Sequence, residues 1–312
     1  MKKKGFLEIS FGWLFAIIAG VFIIFLAIYF TTKISDTSKY EIDTKTAKSL
    51  DVLLNPLEIS FESVKSTPIN TLAETRIYNL CENSVGFFGR QGIQISQKTF
   101  VEWSEPGGEV SSKNKYIFSE EFIEGEKFYV FSKPFEFPFK VADLICMTSS
   151  KDVYCFGNNA PDDILEDLKG ISQENLLFEN CSGSDKYIQV CFSGGTNCDI
   201  EVNRGARYVK KNGENLYFYE DALMYAAIFS DAEVYECQLI RLMKRTSALS
   251  LLYKDKAIIA SRTGCNYNVN DNLLSLSNGA NDVEDSSNLR PIISDVETIK
   301  NKNNANQKCK LW

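Results

Sequence analysis

The 312-residue chain contains no histidine. That absence removes Ser-His-Asp and Cys-His catalysis, His-ligated zinc and proximal-His haem from consideration. No two cysteines stand in a C-x-x-C spacing, so neither a thioredoxin-type motif nor a zinc ribbon is indicated. A Walker loop, G-x-G-x-x-G, G-x-S-x-G, H-E-x-x-H and the protein-kinase set are also missing. No internal repeat is visible, and no Pro/Gly/Ser-rich linker divides the chain. Carboxylate pairs, Ser-Lys arrangements and carboxylate-bound calcium remain open. The segment from Asn266 to Ser277 superficially resembles a calcium loop, but it ends on Ser277 where a bidentate Glu is needed and lacks the central Gly.

Positive charge is scarce. The chain holds 34 basic and 41 acidic residues, a net charge of −7. Setting aside Lys2, Lys3, Lys4 and Glu8 leaves 31 against 40, a balance of −9 for the rest. An acidic surface without a long basic run is repelled by phosphate backbones and anionic lipid, so no nucleic-acid partner is expected. Nothing in the sequence implies a cofactor or a metal.

What is present begins at the N-terminus. The 20 residues from Phe11 to Phe30 carry no charge. At about 1.5 Å per residue they reach roughly 30 Å, the thickness of a bilayer's hydrocarbon core. A cleaved secretory signal has a shorter apolar region, of about 7–15 residues, followed by a small-x-small site. The sequence after Phe30 has no such site, so an uncleaved signal anchor is expected. Lys2, Lys3 and Lys4 place the short N-terminal segment in the cytoplasm and the bulk of the chain outside. Trp13 and Tyr29 sit near the two ends of the run, as interfacial aromatics do.

Glu8, Gly12, Ala16 and Gly20 follow one another at four-residue spacing. Small residues at that interval let helix backbones approach closely inside a membrane. A carboxylate near the inner interface is costly unless it meets a positive group or water. Together these residues predict packing against another transmembrane helix, from a second copy or a partner protein. The basic leader ending at Gly5, with Phe6 after it and an apolar helix carrying an early Glu, resembles the type IV pilin-like, or class III, signal. That resemblance implies cleavage after Gly5, a mature chain beginning at Phe6, and a hydrophobic helix that forms a filament core. It covers about the first 32 residues. Bacterial members carry the Glu at the fifth mature position, whereas Glu8 would be the third. The stretches FSKPFEFPFKVADLI and SSKDVYCF and the ending CKLW loosely resemble uncharacterised membrane-anchored surface proteins of small-genome archaea, a likeness that carries no activity.

Nine cysteines all follow the apolar run. On the outer side of a membrane, disulfides are the default. An odd number leaves one thiol free or paired between chains. Cys191 and Cys198 flank a Gly pair that can turn the chain, which makes them one candidate disulfide. Cys237 and Cys265 are a second candidate, through a helix and the chain returning from it.

Residues 33–56 are polar and helix-compatible, ending at Pro56, and read as a helical stalk that extends the anchor or docks it onto the head. From Gly86 to about Ser193 the signals are mostly strand-like. Phe131, Phe135, Phe137 and Phe139 share one face of an extended chain. They read either as an exposed ligand groove or, the stronger reading, as the inner face of a core strand kept at a sheet edge by Pro134 and Pro138. Asp162, Asp163, Glu166 and Asp167 read as helix-start charges behind Pro161 rather than as a metal cluster. Asn212-Gly213 predicts a hairpin turn within residues 206–219. A long helical stretch runs from Asp221 to about Lys256, with a new helix capped by Ser230 and Glu233. Arg241, Lys244 and Arg245 read as a solvated basic patch on it. Residues 278–308, rich in Asn, Asp and Ser, read as loop or partly disordered. Cys309, Leu311 and Trp312 predict a C-terminus tied back to the domain. Asn180-Cys181-Ser182 is the one N-glycosylation pattern.

These readings divide the chain into a cytoplasmic basic leader (1–10), a transmembrane helix (11–32), a helical stalk (33–56) and an extracytoplasmic, cysteine-rich α+β domain (57–312). Within that domain mostly antiparallel strands precede a helical C-terminal third. The functional expectation is a membrane-anchored structural or interaction protein, a pilin-like surface subunit, rather than an enzyme. An anchored ligand-binding module or receptor is the alternative. An extracellular hydrolase using paired carboxylates has no specific signal.

Overall fold

A computed structural model describes residues 11–58, 66–99, 101–157, 159–178, 187–193, 198–262, 264–265, 268–305 and 309–312. Helix α1 runs unbroken from Phe11 to Glu58, 48 residues. It is long and apolar enough to cross a membrane, and none of its most apolar window is buried. In the polar half Thr31, Thr37, Thr44 and Thr46 each donate to the carbonyl one turn back, so their hydroxyls are satisfied within the helix. Pro56 does not end the helix, as its position predicts. It lies inside the last turn, where the helix stops two residues later in any case.

From Asp43 onward α1 is docked as a core helix, the second of the two alternatives read for this segment. Asp43, Ala47, Leu50, Leu54 and Leu57 recur at three- and four-residue spacing, and all five are buried. They lie against a sheet of seven strands: β1 (Thr67–Glu82), β2 (Arg90–Thr99), β3 (Glu102–Trp103), β4 (Val110–Ser112), β5 (Ile117–Phe118), β6 (Phe122–Glu136) and β7 (Lys140–Ser149). The order is β3-β2-β1-β6-β7-β5, with β4 also paired to β2. The β6–β7 hairpin turns at the cis Phe137-Pro138 bond. It is buried on both faces. Phe128, Val130, Ile145 and Met147 join α1 in one core, and Phe131, Phe135, Leu144 and Cys146 join a second on the opposite side. Alternating side chains are what let one hairpin serve two cores. β6 is a central strand where β1 pairs it, from Phe122 to Val130; Pro134 lies beyond that register and pairs with Asp143 of β7 alone, so among the described residues the proline occupies a one-sided, edge-like stretch of the strand.

The second sheet has six strands: β8 (Tyr154–Phe156), β9 (Leu176–Leu177), β10 (Ile188–Phe192), β11 (Ile200–Asn203), β12 (Tyr208–Lys211) and β13 (Glu214–Tyr217), in the order β13-β12-β11-β10-β8-β9. Helix α2 (Asp162–Ile171) connects β8 to β9. The pairs β8–β9, β8–β10 and β10–β11 are parallel, as is β5–β7 in the first sheet. The strands are therefore mixed, which corrects the mostly antiparallel expectation. Alternation within one strand reports which face is buried and says nothing of the direction of its neighbour. Asn212 and Gly213 form the β12–β13 turn, both with positive φ (52° and 86°), as a primed two-residue turn requires.

Helix α3 (Glu220–Phe229) is buried at every position from Ala222 to Phe229 and packs against β5, β6 and β7 on one side and β12 on the other. Helix α4 (Ala232–Ser261) follows after one break, at Ser230–Asp231. Ser230 closes α3 rather than capping α4; its hydroxyl donates to the Ala226 carbonyl, and Asp231 takes the N-cap. The segment read as loop is largely helical: α5 spans Asn270–Asn281 and α6 spans Leu289–Ala305. Leu289, Ile292, Val296 and Ile299 bury one stripe of α6, and that spacing outweighs the Asn- and Asp-rich composition.

Three disulfides lie wholly among the described residues. Cys191 bonds Cys198, as the flanking Gly pair predicts. Cys237 bonds Cys81, not Cys265; Cys265 bonds Cys309. The α4 register places Cys237 over β1, a contact 156 residues away that no local pattern announces. Cys265–Cys309, with buried Leu311, ties the C-terminus back to the domain. Cys155 is also disulfide-bonded, and Cys146 is a buried free thiol.

Candidate interaction surfaces

The bare half of α1 is the largest unpartnered apolar surface among the described residues. Gly12 and Gly20 have no atom within 4 Å of where a Cβ would stand, and Ala16 is exposed. The stripe is therefore open to another helix. Gly5, Phe6 and Glu8 lie outside the described residues, as does the Asn180-Cys181-Ser182 pattern.

The four phenylalanines do not form a groove. Phe131, Phe135, Phe137 and Phe139 are at most 1% exposed. Phe137 stacks on Phe135 and meets Tyr219 edge-on, while Phe139 packs with Tyr253 and Trp312. The acids of α2 do not converge on a metal. Asp162 and Asp163 lie in its first turn, Asp163 pairs with Arg204 at 2.9 Å, and Asp167 pairs with Lys133 and accepts from the Tyr225 hydroxyl at 2.7 Å. Among the described residues no group of three or more acids or cysteines is placed to hold a metal.

The basic patch read on α4 is not a patch. Arg241 is fully buried. Its guanidinium donates to the carbonyls of Phe88, Lys113 and Lys115 and to Gln238 Oε1 at 2.6–3.2 Å, over the face of Tyr116. Burial lowers its pKa to about 10. Gln238 passes the chain of hydrogen bonds to Gln91 and the Ile117 carbonyl, and Gln91 passes it to Asn79 at 2.7 Å. Asn79 completes it on Ser119 at 2.8 Å. This polar ladder joins α4 to the first sheet directly below Cys81–Cys237. Sequence reasoning missed it because its five side chains come from four separate segments.

Above the ladder opens a cleft of about 600 Å³, lined by Cys81, Cys237, Glu82, Glu121, Glu214, Asp231, Glu233 and Lys211. Beside it burial raises the pKa of Glu120 and Asp152, with Lys211 only partly offsetting the rise. A smaller cleft of about 370 Å³ lies between Arg207, Tyr217 and the first turns of α6. A third, of about 750 Å³, lies between the exposed turns of α1 at Lys33–Tyr40 and the β2–β3 hairpin. No family model, no curated protein and no solved structure matches the chain.

Proposed function

We propose that the chain is a membrane-anchored structural or interaction subunit of the cell surface, pilin-like in using its N-terminal helix both as anchor and as assembly element. The N-terminus is cytoplasmic and the folded head extracytoplasmic, as Lys2, Lys3 and Lys4 favour. The observation that carries this reading is the division of α1. One continuous helix is core-packed from Asp43 onward yet bare and apolar over Phe11–Phe30. A helix gripped this firmly by its head transmits contacts made in the membrane to the whole domain. The open Gly12-Ala16-Gly20 stripe supplies the surface for a second helix, with Glu8 meeting a positive group on it.

The groove reading of a ligand-binding module loses its basis with the four phenylalanines buried. Disulfide-bonded cysteines accord with an oxidising compartment. The test is the mass of the native N-terminus together with the assembly state in mild detergent. A mature chain beginning at Phe6 and a complex larger than a monomer are expected. An intact Met1 on a strictly monomeric protein overturns the reading.

A further inference from the structure

The β11–β12 connection runs from Arg204 to Arg207 and is closed by the pairing of Asn203 with Tyr208. Its last residue, Arg207, stands in the left-handed region with φ 57°. Glycine adopts that conformation readily, whereas a residue with a Cβ is strained there. The conformation is locked, because the Phe218 amide just past β13 donates to the Arg207 carbonyl at 3.0 Å. The Arg207 guanidinium lies over Tyr219, its central carbon 5.6 Å from the ring centroid.

Helix α6 brings a second arginine to the same loop. Arg290 lies over the Tyr217 ring at 5.2 Å and donates to the Ala206 carbonyl, one residue from Arg207, at 3.3 Å. The Tyr217 amide donates to Ser286 Oγ just ahead of α6, which ties β13 to the start of that helix. Neither Arg207 nor Arg290 is in an ion pair among the described residues. This is so in a chain of net charge −7 whose Arg76, Arg90 and Arg204 are all paired. Glu297, two turns along α6 from Arg290, accepts from the Tyr219 hydroxyl at 2.8 Å. A guanidinium carries five N–H donors, so one held over a ring with at most one carbonyl partner keeps several for a ligand. Its planar fork matches phosphate and carboxylate bidentately.

Both arginines are exposed and line the cleft of about 370 Å³, whose apolar wall is Tyr217, Phe218, Leu289 and Ile293. That volume suits a small-molecule ligand and exceeds what a bare phosphate fills. We propose that this cleft binds a small organic anion, its phosphate or carboxylate held by Arg207 and Arg290 and its apolar body resting on Tyr217, Phe218 and Ile293. The site goes beyond the structural role above, since it depends on neither the membrane nor assembly. It also gives the strained Arg207 a use: the loop position suits glycine, and arginine there supplies a charge that glycine lacks.

The test is isothermal titration calorimetry on the full chain in dodecyl maltoside, at an ionic strength held constant with sodium chloride. The probes are phenyl phosphate, benzoate, inorganic phosphate and phenol. Saturable one-to-one binding of phenyl phosphate or benzoate is expected, tighter than that of inorganic phosphate or phenol. The tighter of the two aromatic anions identifies the acid group. Arg207→Gly and Arg290→Gln should each weaken binding by roughly tenfold or more. Arg207→Gly also separates binding from folding. Glycine relieves the left-handed residue, so the urea midpoint should hold or rise while binding is lost. A lowered midpoint would make Arg207 a brace on Tyr219 and overturn the proposal. Binding that survives either substitution overturns it, as does the failure of both aromatic anions to saturate. Inorganic phosphate binding as tightly as phenyl phosphate removes the apolar half of the site, and phenol binding as tightly removes the charged half.

Discussion

Arg241 carries a charge into the interior with no carboxylate beside it among the described residues, and backbone carbonyls take the place of one. Removing the guanidinium orphans three carbonyls and Gln238 at once. Arg241→Ala should therefore destabilise the protein by about 3–5 kcal/mol in urea unfolding of the full chain in detergent. Arg241→Lys, which keeps the charge but not the fork, should fall between the two. The sequence assigned Arg241 to solvent because arginine on a helix is usually exposed, and nothing local marks the carbonyls that receive it. Glu120 allows a test of opposite sign. Burial holds its folded pKa above the ordinary glutamate value, so the folded state binds its proton more tightly than the unfolded chain does. The penalty is present above the folded pKa and disappears as the pH falls through it toward about 4. Glu120→Gln should raise the melting temperature near neutral pH, and the gain should shrink to nothing in acid. Cys146, buried and with its thiol pKa pushed up by burial, should resist maleimide in the native protein and react once the protein is unfolded in denaturant.

Elements were legible where one period dominates. The apolar run from Phe11 to Phe30, the Asn212-Gly213 hairpin and the Cys191–Cys198 loop all follow from neighbours in sequence. Where the partner is remote, the same reasoning stops. Strand direction, the Cys81–Cys237 bond and the docking of α1 depend on what lies across the gap. The α1 docking did leave a trace: Ala47, Leu50, Leu54 and Leu57 already show helical spacing, though spread thinly among polar residues. Leu54 is fully buried against the first sheet. Leu54→Ala should cost about 2–5 kcal/mol in the same urea unfolding, the usual range for emptying a packed leucine site. Its neighbour Leu53 is exposed on the outer face of the same turn, and Leu53→Ala should change stability by less than about 0.5 kcal/mol. Both variants put alanine into the same helix, so the difference between them isolates core docking from helix propensity.

The whole molecule is organised around a sheet with two buried faces, one closed by the second half of α1 and the other by α3 and the second sheet. The apolar half of α1 is thus covalently continuous with its core-packed half, and the place where the chain is cut decides what survives. Among the described residues, removing 1–32 takes away only the apolar stretch of α1, whose most apolar window has nothing buried. That truncation should give a soluble, folded protein with cooperative unfolding and, without the Gly12-Ala16-Gly20 stripe, no assembly in solution. Removing residues 1–57 also takes Ala47, Leu50, Leu54 and Leu57 out of their core and exposes Ile77, Ile93, Ile95 and Ile145. Each of the three lost leucines contributes about 1.5–3 kcal/mol by burial. Their sum approaches the full stability of an ordinary domain, about 5–15 kcal/mol. The shorter chain should aggregate or bind hydrophobic dyes rather than unfold cooperatively. Calorimetry and size-exclusion chromatography on the two truncations distinguish a head that merely hangs from its anchor from one completed by it. Equal stability in both would mean that α1 contributes nothing to the core.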